Sequence, residues 1–261
     1  MVPDLFVKFA RRIMRSVGQE PVAVSQLAVL ETEALQGRKA RLLGMMGDNE
    51  LARALSLLES SESQINQDLW VLHELGWKRD GYFVEFGATN GRTLNNTWLL
   101  EREFGWRGIL AEPGRTWHPE LTASGRKSEV DFDCVWSKSN EQLIFSETPI
   151  AEFSTVSTFE TSDSHVRDSA NNYPVRTISL IDLLDRHKAP AIIDYLSIDT
   201  EGSEHEILAA FDFQRYRFRC ISCEHNFTKN RGKIYDLLSS HGYVRKYTDL
   251  SLFDDWYFLD I

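Results

Sequence analysis

A chain of 261 residues, 42% hydrophobic and 26% charged, can bury the core of one sizeable α/β domain with an appendage, and is short for two complete domains. Its 39 acidic against 29 basic side chains leave a net charge of -10, which excludes a nucleic-acid binder working through a basic face and points to a neutral or cationic substrate. No run reaches the roughly 18 apolar residues of a membrane span, and residues 1–20 lack the small-residue cleavage site of a signal peptide.

Three cysteines are too few, and odd in number, for a disulfide framework, so a reducing, cytoplasmic setting is expected. Cys220 and Cys223 have the spacing of a redox or metal pair. They fall in a strand-like run, where residues three apart face opposite ways, and two buried thiols are the preferred reading.

Residues 1–80 read as an N-terminal helical extension. Leu51, Leu55 and Leu58 recur at helical spacing, as do Ile65, Leu69 and Leu72, with Ser61 and Gln64 spaced as a capping box. These helices are expected to pack on the domain or to pair with a second copy as a homodimer. The basic, apolar first segment offers a membrane surface as the alternative.

The catalytic domain is expected over residues 81–261. It opens on the apolar run from Tyr82 into Glu85-Phe86-Gly87-Ala88-Thr89-Asn90-Gly91, an E-x-G-x-x-x-G pattern followed by a helix-like stretch over residues 92–104. That is strand, tight turn, helix, the arrangement that lets a backbone approach a ligand. Glu85 and Phe86 stand where a dinucleotide site has glycines, and a carboxylate there would repel phosphate. S-adenosylmethionine, with its amine and sulfonium, fits that charge. A generic turn with a satisfied acid is the bland alternative.

A second strand ends in Glu112, placed to accept ribose hydroxyls or, more plainly, to sit at a helix N-terminus. A third, near residues 130–132, runs into Asp133 and Cys134, which would read an adenine edge or lie in a solvated loop. After a hairpin-like stretch at residues 142–145, residues 146–173 are crowded with Ser, Thr, Asp and Asn and include His165 and Arg167. An insertion of that length without regular structure reads as a substrate-facing lid or as a mobile loop.

Strands at residues 175–179, 192–198 and 218–223 follow, with helices between and after them, and residues 243–247 and 256–259 close the sheet as an antiparallel pair. The expected fold is α/β: a Rossmann-like, seven-stranded, mostly parallel sheet with helices on both faces.

Phe83 to Gly91 and the block Leu196-Ser197-Ile198-Asp199-Thr200-Glu201-Gly202-Ser203-Glu204 together resemble the FkbM family of S-adenosylmethionine-dependent methyltransferases. Lesser matches at Ser63-Gln64-Ile65-Asn66-Gln67-Asp68, residues 106–113 and residues 221–226 extend the resemblance over residues 63–261. It implies a class I methyltransferase fold, S-adenosyl-L-methionine as cofactor and O-methylation of a hydroxyl on a sugar, glycan or related small molecule.

The cofactor residues expected are Glu85, Gly87, Ala88, Asn90, Gly91, Glu112, Asp133 and Cys134. At the carboxyl edge, where open α/β sheets bind ligands, the ends of adjacent strands bring Asp199 towards Glu224, His225 and Asn226. Asp199, Glu224 and His225 are the candidate Mg2+ ligands, and Asp199, His225 and His165 the candidate catalytic groups. Glu201 is read as orienting the turn. A cap for Asp199 and an ion pair for Glu224 form the plain alternative, and a non-catalytic scaffold or an N-methyltransferase are the alternative functions.

Overall fold

The computed structural model describes residues 24–159, 167 and 169–261. The chain divides into two compact units, Met1–Leu55 and Ser56–Ile261, so the expected boundary at residue 80 lies inside the second unit. A long helix α1 (Val24–Gly44) lies in the first, and α2 (Asp48–Leu57), whose Ala54 is buried, begins in the first and ends two residues into the second.

The first helix wholly within the second unit is α3 (Gln67–Glu74). The capping box expected from Ser61 and Gln64 does not form: Asn66 turns left-handed at φ 56 immediately before the helix, and the Ser61 hydroxyl donates instead to Asp68 Oδ1 at 2.9 Å.

The main sheet is built from β1 (Tyr82–Phe86), β2 (Arg107–Ala111) and β3 (Glu129–Asp131) on one side. It continues through β8 (Ile192–Ile198), β9 (Arg217–Glu224), β10 (Val244–Lys246) and β11 (Asp254–Phe258). Its seven strands run in the order β10-β11-β9-β8-β1-β2-β3. β3, β2, β1, β8 and β9 are mutually parallel, while β11 is antiparallel to both β9 and β10. The central strands are mostly apolar, as strands covered on both faces tend to be: Val84, Leu196 and Ile221 are wholly buried, and the polar Glu85, Asp194 and Ser197 are buried among them.

Connecting helices are α4 (Trp98–Phe104), α5 (His118–Ala123), α6 (Leu180–Arg186), α7 (Glu204–Ala209) and α8 (Asn230–Ser240). α4 starts six residues later than the sequence pattern predicts. Asn90 Oδ1 accepts from the N–H groups of Arg92 and Thr93, and Asn95 Oδ1 from that of Thr97, so side-chain turns take the donors a helix would need.

The polar insertion is not structureless. β4 (Cys134–Trp136), β5 (Gln142–Glu147), β6 (Thr155–Val156) and β7 (Asn171–Ser179) form a second, four-stranded sheet in the order β4-β7-β5-β6. Its own small core joins Cys134, Phe145, Val156, Tyr173 and Val175. Along β7 the buried Tyr173, Val175 and Thr177 alternate with exposed residues, so the polar composition of this stretch belongs to one face of a sheet. Cys220 and Cys223 are buried free thiols in β9.

Candidate active site

Register decides which residues meet. Phe86 lies opposite Ala111 on one side and Ile198 on the other, Ile198 opposite Cys223, and Glu224 opposite Asp254. The next residues of the parallel strands therefore leave the sheet at one edge: Gly87, Glu112 and Asp199, beside Glu224 at the end of its own strand.

Gly87 has φ 71, and a Cβ there would overlap the Asp199 carbonyl oxygen. The turn after β1 thus rests directly on the turn after β8, and only glycine permits the approach. Gly91, at φ 79, closes the turn with its N–H on the Ala88 carbonyl.

Glu85 is spent on this turn. Its Oε1 accepts from the Asn96 N–H at 2.7 Å and its Oε2 from the Thr97 hydroxyl at 2.5 Å. Burial pushes its carboxyl upward in pKa, and the Arg126 charge with these two hydrogen bonds pulls it back. Arg126, whose side chain is 1% exposed, also donates to the Gly91 carbonyl and to Thr97 Oγ1 and pairs with Glu101. Both oxygens of Glu85 are held inside the protein, not offered to a ligand as its position in the sequence led us to expect. Arg126 was not foreseen, because nothing in its local sequence marks an arginine that closes a turn 35 residues earlier.

Glu112 ties two turns together, accepting from the N–H of Thr89 at 2.9 Å and that of Gly114 at 2.7 Å. Burial raises its carboxyl to about 7, against the pull of those N–H groups and with the charges of Asp199 and Glu147 adding to the rise. Glu147, delivered by β5, accepts from Tyr173 and from the Thr116 N–H and so fastens the smaller sheet to this corner. Asn90 bridges Thr93 and Glu120. Ala88 is fully buried.

Asp133 lies in a different setting. Burial pushes its carboxyl up, but hydrogen bonds from Arg176 and Arg186 outweigh it and hold the acid below its usual value. Cys134 is the first residue of β4, its thiol raised to about 12 by burial.

The turn after β8 is closed by Glu204, whose Oε1 accepts from the Thr200 and Gly202 N–H groups and from the Thr200 hydroxyl. Asp199 and Glu224 are hydrogen-bonded to each other, and burial raises both carboxyls, Glu224 the further because of the Asp199 and Glu201 charges. One oxygen from each of Asp199, Glu201 and Glu224 lies within 4.8 Å of the others, an all-oxygen set of the type that suits hard cations. Glu201, at φ 58, also pairs with Arg167 at 3.1 Å.

His225 is not a member of that cluster. Its Nε2–H donates to the Asp254 carbonyl at 3.1 Å, and its Nδ1 accepts from the Phe227 N–H at 3.0 Å. Burial, with the nearby Arg231 charge, lowers it to about 4 against the opposing pull of Asp255, so the ring stays neutral. The structure groups Glu201, where the sequence suggested His225, with the two acids. A D-x-E spacing across a turn was the available signal. His165 lies outside the described residues.

Residues 85–248 match the family described as the methyltransferase FkbM domain, well over half of the chain. No curated protein matches it. Among solved structures, a crystal structure of a mutant of MtNAS is similar at 11% identity, covering 87% of this chain and 70% of that one, with a TM-score of 0.36. Among the described residues no helix is long and apolar enough to cross a membrane.

Proposed function

The chain belongs to the FkbM methyltransferase family, and we propose that it moves the methyl group of S-adenosyl-L-methionine to a hydroxyl of a sugar or sugar-containing small molecule. The observation that carries this reading is the convergence of Gly87, Glu112, Asp199 and Glu224 on one edge of a seven-stranded sheet. The strand order, with β11 alone reversed, supports a class I methyltransferase arrangement.

The residues present fit the cofactor. The positive-φ Gly87 and Gly91 let the first turn fold tightly against the Asp199 carbonyl and Leu121, and Glu112 lies one strand away, each of its oxygens accepting one main-chain N–H and keeping a lone pair for a ribose hydroxyl. Glu112, Glu147 and Asp199 make this corner acidic, which favours a sulfonium and an ammonium over a phosphate. The bound cofactor supplies an electrophilic methyl group.

Transfer is an in-line displacement, so the chain's part is to align the acceptor oxygen and receive its proton. Asp199 is the proposed acceptor of that proton, because it is half-buried at the edge and burial raises its carboxyl above the usual value, making it a stronger base. Calorimetric titration of the full chain with S-adenosylhomocysteine tests the cofactor, and methyl transfer to a panel of hydroxyl and amine acceptors tests the acceptor. Absence of binding at millimolar ligand removes the cofactor; transfer confined to amines replaces O- by N-methylation.

A second reading adds a divalent cation at Asp199, Glu201 and Glu224, supported by their spacing. Such an ion would oppose the protonation that burial favours at Asp199 and Glu224 and compete with the Arg167 guanidinium on Glu201. Activity unaffected by a chelator would set it aside.

A further inference from the structure

The turn that carries Asp199 has an uncommon backbone. Glu201 is left-handed at φ 58 and Gly202 follows at φ 126, and a left-handed residue with a side chain persists only where its surroundings hold it. The donors of this turn are taken by its own helix, since Glu204 accepts from the N–H groups of Thr200 and Gly202. Two of its carbonyls are served from elsewhere in the chain. Thr155 Oγ1 donates to the Thr200 carbonyl oxygen at 3.3 Å and, as a shared donor, to that of Glu201 at 3.1 Å.

Thr155 is the first residue of β6, the last strand of the second sheet, and is 1% exposed. A hydroxyl buried to that degree must find its partner inside the protein. A second tie lies two residues earlier: Arg167 donates through Nε to the Phe153 carbonyl at 2.7 Å and through Nη2 to Glu201 at 3.1 Å. Across the β5–β6 pair Thr155 stands opposite Ser146, and the next residue of β5, Glu147, accepts from the Thr116 N–H beyond β2. This hairpin therefore grips the chain after β2 with one strand and the turn after β8 with the other.

We infer that Thr155 is a positioning residue for methyl transfer, its hydroxyl fixing the peptide groups beyond Asp199 and so setting where the Asp199 and Glu201 carboxyls stand at the sheet edge. The inference rests on the reaction proposed above and gives the second sheet the task of holding the turn. Valine has the shape of threonine without the donor, so Thr155→Val removes the hydrogen bond from both carbonyls and lets the strained turn relax. A displacement of about 1 Å at a reacting group can slow a transfer about 100-fold.

The test compares the full chain with its Thr155→Val, Thr155→Ser and Thr177→Val variants. Thr177 is equally buried in β7, where its hydroxyl bonds to the Glu141 carbonyl inside the second sheet, so Thr177→Val measures the loss of a hydroxyl from that sheet alone. Methyl transfer from S-adenosylmethionine to methyl pyranosides gives kcat and acceptor KM, and calorimetry gives S-adenosylhomocysteine affinity. Hydrogen exchange over residues 199–204, read by mass spectrometry, reports on the turn without turnover. All assays run below the unfolding midpoint of every variant.

For Thr155→Val, kcat is expected to fall at least about tenfold, with acceptor KM and S-adenosylhomocysteine affinity within about threefold, and exchange over the turn quickens. Thr155→Ser, which restores a donor, returns kcat to within about threefold of the wild type, and Thr177→Val keeps it there. A Thr155→Val kcat within about twofold of the wild type, an equal fall in Thr177→Val, or unchanged exchange over the turn overturns the positioning role and leaves the methyl-transfer reading standing. If the wild type binds S-adenosylhomocysteine but methylates no pyranoside, the acceptor class and this role fall together. If it binds no S-adenosylhomocysteine, the cofactor falls and takes the role with it.

Discussion

Asp199 and Glu224 stand at the ends of adjacent parallel strands with a carboxyl oxygen of each within 4.8 Å of the other, and the Asp199 charge pushes the buried Glu224 carboxyl upward. Two buried acids side by side cannot both ionise cheaply, and the pair titrates as a unit. Asp199→Asn keeps the shape and a hydrogen-bonding partner for Glu224 while removing the proton acceptor. Its kcat is expected to fall at least about 100-fold, with S-adenosylhomocysteine affinity within a few-fold by calorimetry. Equal loss of both would assign Asp199 to cofactor binding.

Glu85 balances Arg126 inside the protein, with hydrogen bonds from Asn96 and Thr97. Glu85→Ala leaves a buried guanidinium with Glu101 as its remaining acid, and is expected to cost about 3 kcal/mol of stability. Urea unfolding measures it. A stable variant that has merely lost cofactor affinity would restore Glu85 to a ligand-facing role.

At Gly87 the added methyl group of Gly87→Ala meets the Asp199 carbonyl oxygen and must adopt a positive φ. Destabilisation of at least about 2 kcal/mol is expected. Because the turns after β1 and β8 then move together, cofactor affinity and kcat should fall together, in contrast to Asp199→Asn.

Burial raises the Asp254 carboxyl to about 8, with the Asp199 charge adding to it, and raises Asp68 to about 6. An acid raised in the folded state binds its proton more tightly there than in the unfolded chain. It therefore favours folding below the unfolded value near 4, and that stability is lost as pH climbs through the folded value. Unfolding midpoints should decline between about pH 4 and pH 8, and Asp254→Asn, which keeps an oxygen for the Gln67 amide, should flatten the upper part of that slope. A midpoint rising over this window in the wild type would contradict the assignment.

The sequence alone determined the framework. Apolar runs long enough to be buried on both faces, each ending in glycine or acid, placed β1, β2, β8 and β9 and marked Gly87, Glu112, Asp199 and Glu224, because backbone freedom and strand burial are local demands written in residue type. Tertiary structure decided what those residues do. Whether a carboxylate faces a ligand or a partner depends on groups far away in the chain: Arg126 claims Glu85, Arg176 and Arg186 claim Asp133, and main-chain groups on both sides claim His225. The second sheet also escaped the sequence reading, since its polar outer face hides a period of two and its pairing of β5 with β7 spans residues too distant for any local pattern to reveal.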